Sequence, residues 1–335
     1  MSRDRSGETI APCPGPCISL RRDGGTVRLA CLAADLPRAR RRATTELQLQ
    51  AEGYDWVAST PRSCQASFAF NAFGVRIAVR TNDPRIVRRI KDHLPPGWRP
   101  IPRARIVDRV YSLFVPRSRG FHALYADTAR LGRARSVTSV LESLERDVEL
   151  TVAERAPRRV FIHAGAAAWG GRALVLPGSS FSGKSTLVAE LIRQGATYYS
   201  DEFAVLDARG RVHPYARRLF LRTEDPTERQ RRSAASLGAR TGTRPLPVGL
   251  VVVCRYRPRA RWRPQRLSAG AGALALMANT VPVRRDPRRT LEAIQQVVAT
   301  APVVRGVRGE ASQTARALLG ALRGAGQPRP AGPGG

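Results

Sequence analysis

The sequence has almost no lysine. Of its 57 basic residues only Lys91 and Lys184 are lysines, and the remaining 55 are arginines. Cysteine is also sparse: Cys13, Cys17, Cys31, Cys64 and Cys254 make an odd number, and only the first two sit close together. That spacing argues against a disulfide framework or a four-ligand zinc site and points to a reducing, cytoplasmic setting. Long apolar runs are missing. The longest uncharged stretches, such as Val248 to Cys254, fall far short of the ~20 residues that span a bilayer. The first residues offer no apolar core of ~7–15 positions, so no signal peptide is expected. Acidic residues number only 26, which leaves a net charge of +31.

Such a charge ordinarily suggests nucleic acid. Here, however, the arginines are spread along the chain. The clusters at Arg38 to Arg42, at Arg229, Arg231 and Arg232, and at Arg284 to Arg289 carry no interleaved aromatic rings on which bases would stack. With abundant Ala, Gly and Pro alongside, the arginine excess reads as a coding bias. Specific nucleic-acid recognition is therefore the lesser expectation. Against this background Lys184 stands out, because arginine replaces lysine on a solvated face but not where a compact point charge is needed.

At 335 residues and 42% hydrophobic content the chain has the length of about two domains and enough apolar matter for a core. Residues 1–25 read as a Pro/Gly-rich disordered tail, 26–150 as a smaller α+β domain of unassigned role, 151–325 as a nucleotide-binding domain, and 326–335 as a Pro/Gly tail. In the first half, Phe68 to Thr81 alternates like strand. Asn82-Asp83-Pro84 opens a short helix to His93, Ile106 to Val115 is a strand, and Ser136 to Arg155 has helical apolar spacing. In the second half, strands are expected at Arg159–His163, Arg172–Leu176, Thr197–Tyr199 and Val248–Arg255, with a hairpin from Phe203 to Tyr215. Helices are expected at Ser185–Gln194, 269–278, 287–300 and 310–323, and a polar, Arg-rich loop at 223–246. The implied class is α/β with a mixed sheet.

One motif carries chemistry. Gly178, Ser179, Ser180, Phe181, Ser182, Gly183, Lys184 and Ser185 fit G-x-x-x-x-G-K-[ST], with an expected strand before them and a helix, entered at Thr186, after them. Glycines let the backbone wrap a phosphate with its N–H groups turned inward, and the helix N-terminus adds positive potential. Lys184 then serves the β- and γ-phosphates, and the Ser185 hydroxyl ligates Mg²⁺. Chance matches at this chain's glycine and lysine frequencies number on the order of 0.002. Asp201 and Glu202 follow at the end of the next expected strand, where ligand groups collect in open α/β sheets. Arg217, Arg218, Arg222 and Arg255 are further positions for charge clamps.

From His163-Ala-Gly through Gly171–Thr186 to Gly195-Ala-Thr-Tyr-Tyr-Ser-Asp201-Glu202, the chain resembles the C-terminal catalytic domain of HPr kinase/phosphorylase. It is more similar still to HPr-kinase-like proteins from bacterial gene neighbourhoods for natural products. The resemblance covers about residues 157 to 320 and is sharpest from 163 to 202. It implies a P-loop kinase core shared with phosphoenolpyruvate carboxykinase, using ATP and Mg²⁺, in a family that tends to assemble into homo-oligomers. It also implies Asp201 as general base, Glu202 as a Mg²⁺ ligand with Ser185 and Asp201, and His163 near the phosphates, so that the catalytic set is Asp201, Lys184 and His163. Phe181 stands where the family usually has Gly, and Glu202 where it has a second Asp.

The expected function is thus an ATP-dependent kinase acting on a hydroxyl, serine foremost, of a peptide, protein or small metabolite. The alternative is a nucleotide-gated binding or regulatory protein without phosphotransfer.

Overall fold

The computed structural model describes residues 63–178, 182–222 and 229–324, together with short strands at Ser19–Arg22, Gly25–Arg28 and Tyr54–Asp55. Residues 1–54 form one compact unit, in which Ser19–Arg22 and Gly25–Arg28 pair as an antiparallel hairpin. The tail expected over residues 1–25 therefore ends in a strand. The rest of that expectation, and the tail at 326–335, lie outside the described residues. Residues 55–335 form the second unit, whose described residues include a six-stranded sheet, an eight-stranded sheet and a small two-stranded pair.

The first sheet has strands β1 (Ala66–Ala72), β2 (Val75–Thr81), β3 (Arg99–Pro100), β4 (Arg109–Phe114), β5 (His122–Ala126) and β6 (Ala129–Ala134), in the order β6-β5-β4-β2-β1-β3. β1 and β2 meet through Phe73-Gly74, both at positive φ, the turn that matches strand twist. β2 and β4 are parallel, so the chain must cross between them. It does so through a 3-10 turn, Pro84–Ile86, and helix α1 (Val87–Lys91). As Asn82-Asp83-Pro84 predicted, the Asp83 carboxylate caps this start by accepting the Arg85 N–H at 3.0 Å.

Helix α2 (Val137–Arg155) follows the expected stripe of Val137, Val140, Leu141, Leu144 and Val148, but Leu150, expected on it, is 45% exposed and Val152 is buried in its place. Val140, Leu141, Leu144, Val148 and Val152 pack on Phe70, Ile77, Val79, Tyr111, Leu113 and Leu124. Each side chain so buried contributes roughly 1.5–3 kcal/mol. The same core continues into Phe161 and Phe203 of the second sheet and into Tyr215, which follows the strand Arg211–His213. Helix α2 runs unbroken across residue 150 and reaches both sheets.

The second sheet contains β7 (Val160–Trp169), β8 (Arg172–Pro177), β9 (Thr197–Ser200), β10 (Phe203–Leu206), β11 (Arg211–His213), β14 (Leu246–Tyr256), β15 (Gln265–Arg266) and β16 (Val303–Arg308). Between β11 and β14 lie β12 (Leu219–Arg222) and β13 (Arg229–Arg232), an antiparallel pair apart from this sheet. Part of the segment expected to be loop is thus strand. β8, β14 and β16 run parallel, and β7 is antiparallel to β8, β9 and β10.

Helices α3 (Lys184–Arg193) and α6 (Ala311–Gly324) cover one face, and α4 (Ala269–Met277) and α5 (Pro287–Thr300) the other. The period-2 alternation of buried strands sorts side chains between the layers: Leu174, Leu176 and Val252 meet α3 and α6, while Val175, Val251 and Val303 meet the opposite layer. The result is mixed α and β structure with parallel and antiparallel pairing. β7 is twice its expected length because Ala164–Ala168, weak strand formers, are buried and closely packed. A Cβ on Gly165 would lie 2.6 Å from Val188 of α3. No helix among the described residues is long and apolar enough to cross a membrane.

Candidate functional site

The C-terminal ends of β8, β14 and β16 meet at one edge, and the predicted phosphate loop leaves β8 there. Gly178 donates its N–H to the His163 carbonyl at 3.2 Å, which anchors the start of the loop to β7. Gly183 caps α3 in the left-handed region, φ +83°, a conformation that glycine adopts without penalty. Its carbonyl accepts the Leu187 N–H at 3.1 Å, the first bond of the helix, and also Arg308 Nη2 at 3.0 Å. The first N–H groups of α3, from Lys184, Ser185 and Thr186, therefore begin without helical partners. Ser179, Ser180 and Phe181 lie outside the described residues.

Lys184 is buried and its ammonium donates to the Gly178 carbonyl at 2.6 Å, across the mouth of the loop. Burial pushes its pKa down, opposed by Glu202 and Asp201. The Ser182 hydroxyl oxygen is buried with no hydrogen-bond partner among the described residues. An orphaned hydroxyl beside Gly183 at a helix N-terminus is free to donate to an anion there.

Asp201 and Glu202 follow the end of β9, as expected, and lie between it and β10. Both strands pair with β7, one on each side of the two acids. The Ser200 hydroxyl holds the break by accepting the N–H groups of Glu202 and Phe203 at 3.2 and 3.0 Å. This jog turns both carboxylates out of the ladder. Asp201 is only 2% exposed, accepts the Tyr198 hydroxyl at 2.9 Å, and is hydrogen-bonded by the Ser185 side chain. Burial pushes its carboxyl above the ordinary value, against the pull of Arg217 and of those two hydroxyls.

His163 lies at the junction of the two halves of β7. Its ring sits 3.2 Å (Nδ1) from the Glu202 carbonyl and 3.4 Å (Nε2) from Oε1, and it stacks on Phe203. Lys184, Ser185, Asp201, Glu202 and His163 thus converge around one point. Among the described residues no group of three His, Cys, Asp or Glu side chains could hold a metal. The donor set present, one hydroxyl and two carboxylates, fits Mg²⁺ bound partly through nucleotide phosphates and water.

Two residues of the site come from unexpected quarters. Arg217, one of four clamp positions, has its Nη1 2.5 Å from Glu149 Oε2, its Nη2 3.6 Å from Glu202 and its Nε 4.0 Å from Asp201. Burial works against its charge, but Glu149, Asp201 and Glu202 together hold its pKa above the ordinary value. Arg218 and Arg255 are exposed instead. Glu149, on α2, was missed altogether. Burial lifts its carboxyl to about 7, although Arg217 pulls it down. The available signal was its position: one residue from Val148 and three from Val152, at the border of the apolar stripe, where a glutamate is buried only with a partner.

No protein-family model matches the chain, and a search of curated protein sequences returns no relative.

Proposed function

We propose that this protein is an ATP-dependent phosphotransferase of the HPr-kinase-like kind, passing a γ-phosphoryl group to a hydroxyl. The observation that carries the reading is the convergence of the loop lysine, Lys184, with Ser185 hydrogen-bonded to Asp201. Gly178 and Ser182 to Thr186 would cradle the phosphates, with Lys184 leaving the Gly178 carbonyl for them. Ser185, Asp201 and Glu202 would hold Mg²⁺, whose chemistry is to neutralise charge on the transferring group. Asp201 accepts the proton of the attacking hydroxyl. His163 holds Glu202 in place through its ring and backbone contacts.

A second reading is favoured by one observation: the Arg217 guanidinium already lies between Asp201 and Glu202. A nucleotide-gated binding protein without transfer would keep those carboxylates neutralised by arginine.

Calorimetry with Mg²⁺-ATP on wild type and Lys184→Ala tests the shared premise. Binding present in wild type and lost in the variant supports a nucleotide site. Labelled phosphate passing from ATP to a hydroxyl acceptor supports the kinase, and ATP binding without any transfer supports the second reading. Undiminished binding by Lys184→Ala would sink both.

A further inference from the structure

Between β14 and β15 the chain reads Arg255-Tyr-Arg257-Pro-Arg259-Ala-Arg261-Trp-Arg263-Pro-Gln-Arg266: six arginines and no acid in twelve residues. That is half of the positions, where the chain as a whole carries 57 basic residues in 335. A coding bias that spreads arginine evenly does not produce this density. All six are exposed, and among the described residues none of them is in an ion pair.

The segment is fixed beside the phosphate loop. The Arg257 N–H donates to the Arg308 carbonyl at 2.9 Å, and the Arg308 side chain donates to the Gly183 carbonyl at 3.0 Å. Two hydrogen bonds therefore join the arginine segment to the glycine that caps α3. Gly309 packs on the Ala260 carbonyl so closely that a Cβ there would lie 2.1 Å from it, and Gly306 accommodates Trp262. The Ala260 N–H closes a turn onto the Arg257 carbonyl at 3.2 Å. Surface arginines on an ordered backbone lose less entropy on binding than arginines on a free tail.

The aromatic residues decide the partner. Tyr256 and Trp262 interleave with these arginines. Both rings are engaged within the fold: Tyr256 lies against the Arg308 guanidinium, 5.0 Å from the ring centre, and Trp262 is half-buried over Gly306. Trp262 is half covered and the exposed Tyr256 already carries the Arg308 guanidinium, so the segment offers no row of free rings on which successive bases would stack. Exposed alongside Tyr256 is a row of guanidinium forks, which pair with carboxylates or phosphates; without free rings to hold bases, the carboxylate is the favoured ligand.

We propose that residues 255–266 form a docking surface for an acidic peptide segment, which presents an adjacent hydroxyl to the phosphate loop. That the docked peptide is a phosphate acceptor rests on the phosphotransferase reading; the docking itself does not.

The test uses a fluorescent peptide in which glutamates flank one serine, with a glutamine version as control, measured by anisotropy at about 0.15 M salt. Wild type is compared with Arg259→Ser/Arg261→Ser/Arg263→Ser. A second variant, Arg130→Ser/Arg133→Ser/Arg135→Ser, removes the same charge from exposed positions on and beside β6. The expected result is affinity at least tenfold weaker in the first variant only, with ATP binding unchanged in both. Equal losses in the two variants, or no preference for the glutamate peptide, would overturn the proposal. Tighter binding of a single-stranded oligonucleotide through the same arginines would overturn it too. Peptide docking in a protein that binds no ATP would uphold this surface and refute the phosphotransferase reading.

Discussion

Arg217 and Glu149 stand 68 residues apart in the chain, yet Nη1 of one lies 2.5 Å from Oε2 of the other, Glu149 buried and Arg217 partly so, with Arg217 Nε 4.0 Å from Asp201. One guanidinium thereby serves three carboxylates supplied by helix α2 and by the jog between β9 and β10. The first sheet's covering helix contributes a charge to the site of the second.

The Glu149 carboxyl, lifted by burial to about 7 from 4.5, binds its proton more tightly when folded than when unfolded. Between those two values the folded state holds more protons, so stability is greatest below the window and falls as pH rises through it. The displacement corresponds to about 3 kcal/mol at its full extent. Asp201, pushed the same way, acts in the same direction. Glu149→Gln should flatten the stability profile between pH 5 and 8, as read by urea unfolding at several pH values. An unchanged slope would place the titration elsewhere.

Arg217→Met removes the partner and leaves the carboxylates buried. A loss of about 3–5 kcal/mol is expected at pH 8, where a broken buried pair strands its charge. The loss should shrink at pH 5, because the carboxyls then take up protons. Paired denaturation curves at the two pH values check both the size and its trend.

Gly183→Ala brings a Cβ to 2.3 Å from Arg308 Nη2 at a residue with φ of +83°. The left-handed strain alone costs roughly 1–2 kcal/mol, and Arg308 must also leave the Gly183 carbonyl. Nucleotide affinity should fall at least tenfold while the protein remains folded, by calorimetry and circular dichroism together.

Asp201→Asn keeps the size of the side chain and removes its charge. Transfer to a hydroxyl acceptor should drop by at least a hundredfold, within the usual range for a lost general base. ATP affinity should change little. Full turnover in this variant would remove Asp201 from the chemistry.

Much of the second sheet's layering was legible from sequence, because its helices carry long, periodic apolar stripes and its buried strands are continuous Val/Leu runs. α5 and the β8–loop–α3 unit appear where their patterns place them. β16 was not legible: Val303 to Arg308 mixes Val, Arg and Gly, and only its place beside β14 makes it a strand. β5 and β6 were missed for a similar reason, since β6 is largely exposed and polar. At the site, Lys184, Ser185, Asp201 and Glu202 were readable from one motif and its interval. Glu149 was not, because its role depends on a contact between distant segments that no local pattern encodes.

The bond between Arg308 and the Gly183 carbonyl spans 125 residues of chain. On the ribosome, β8, the loop and α3 emerge long before the strand that braces them, and α3 must also wait for α6, whose Leu318 and Leu322 close its outer face. A nascent chain halted before β16 therefore carries the whole phosphate-loop sequence without the side chain that holds Gly183. On the phosphotransferase reading, nucleotide binding would be acquired late in synthesis, once β16 and α6 have docked.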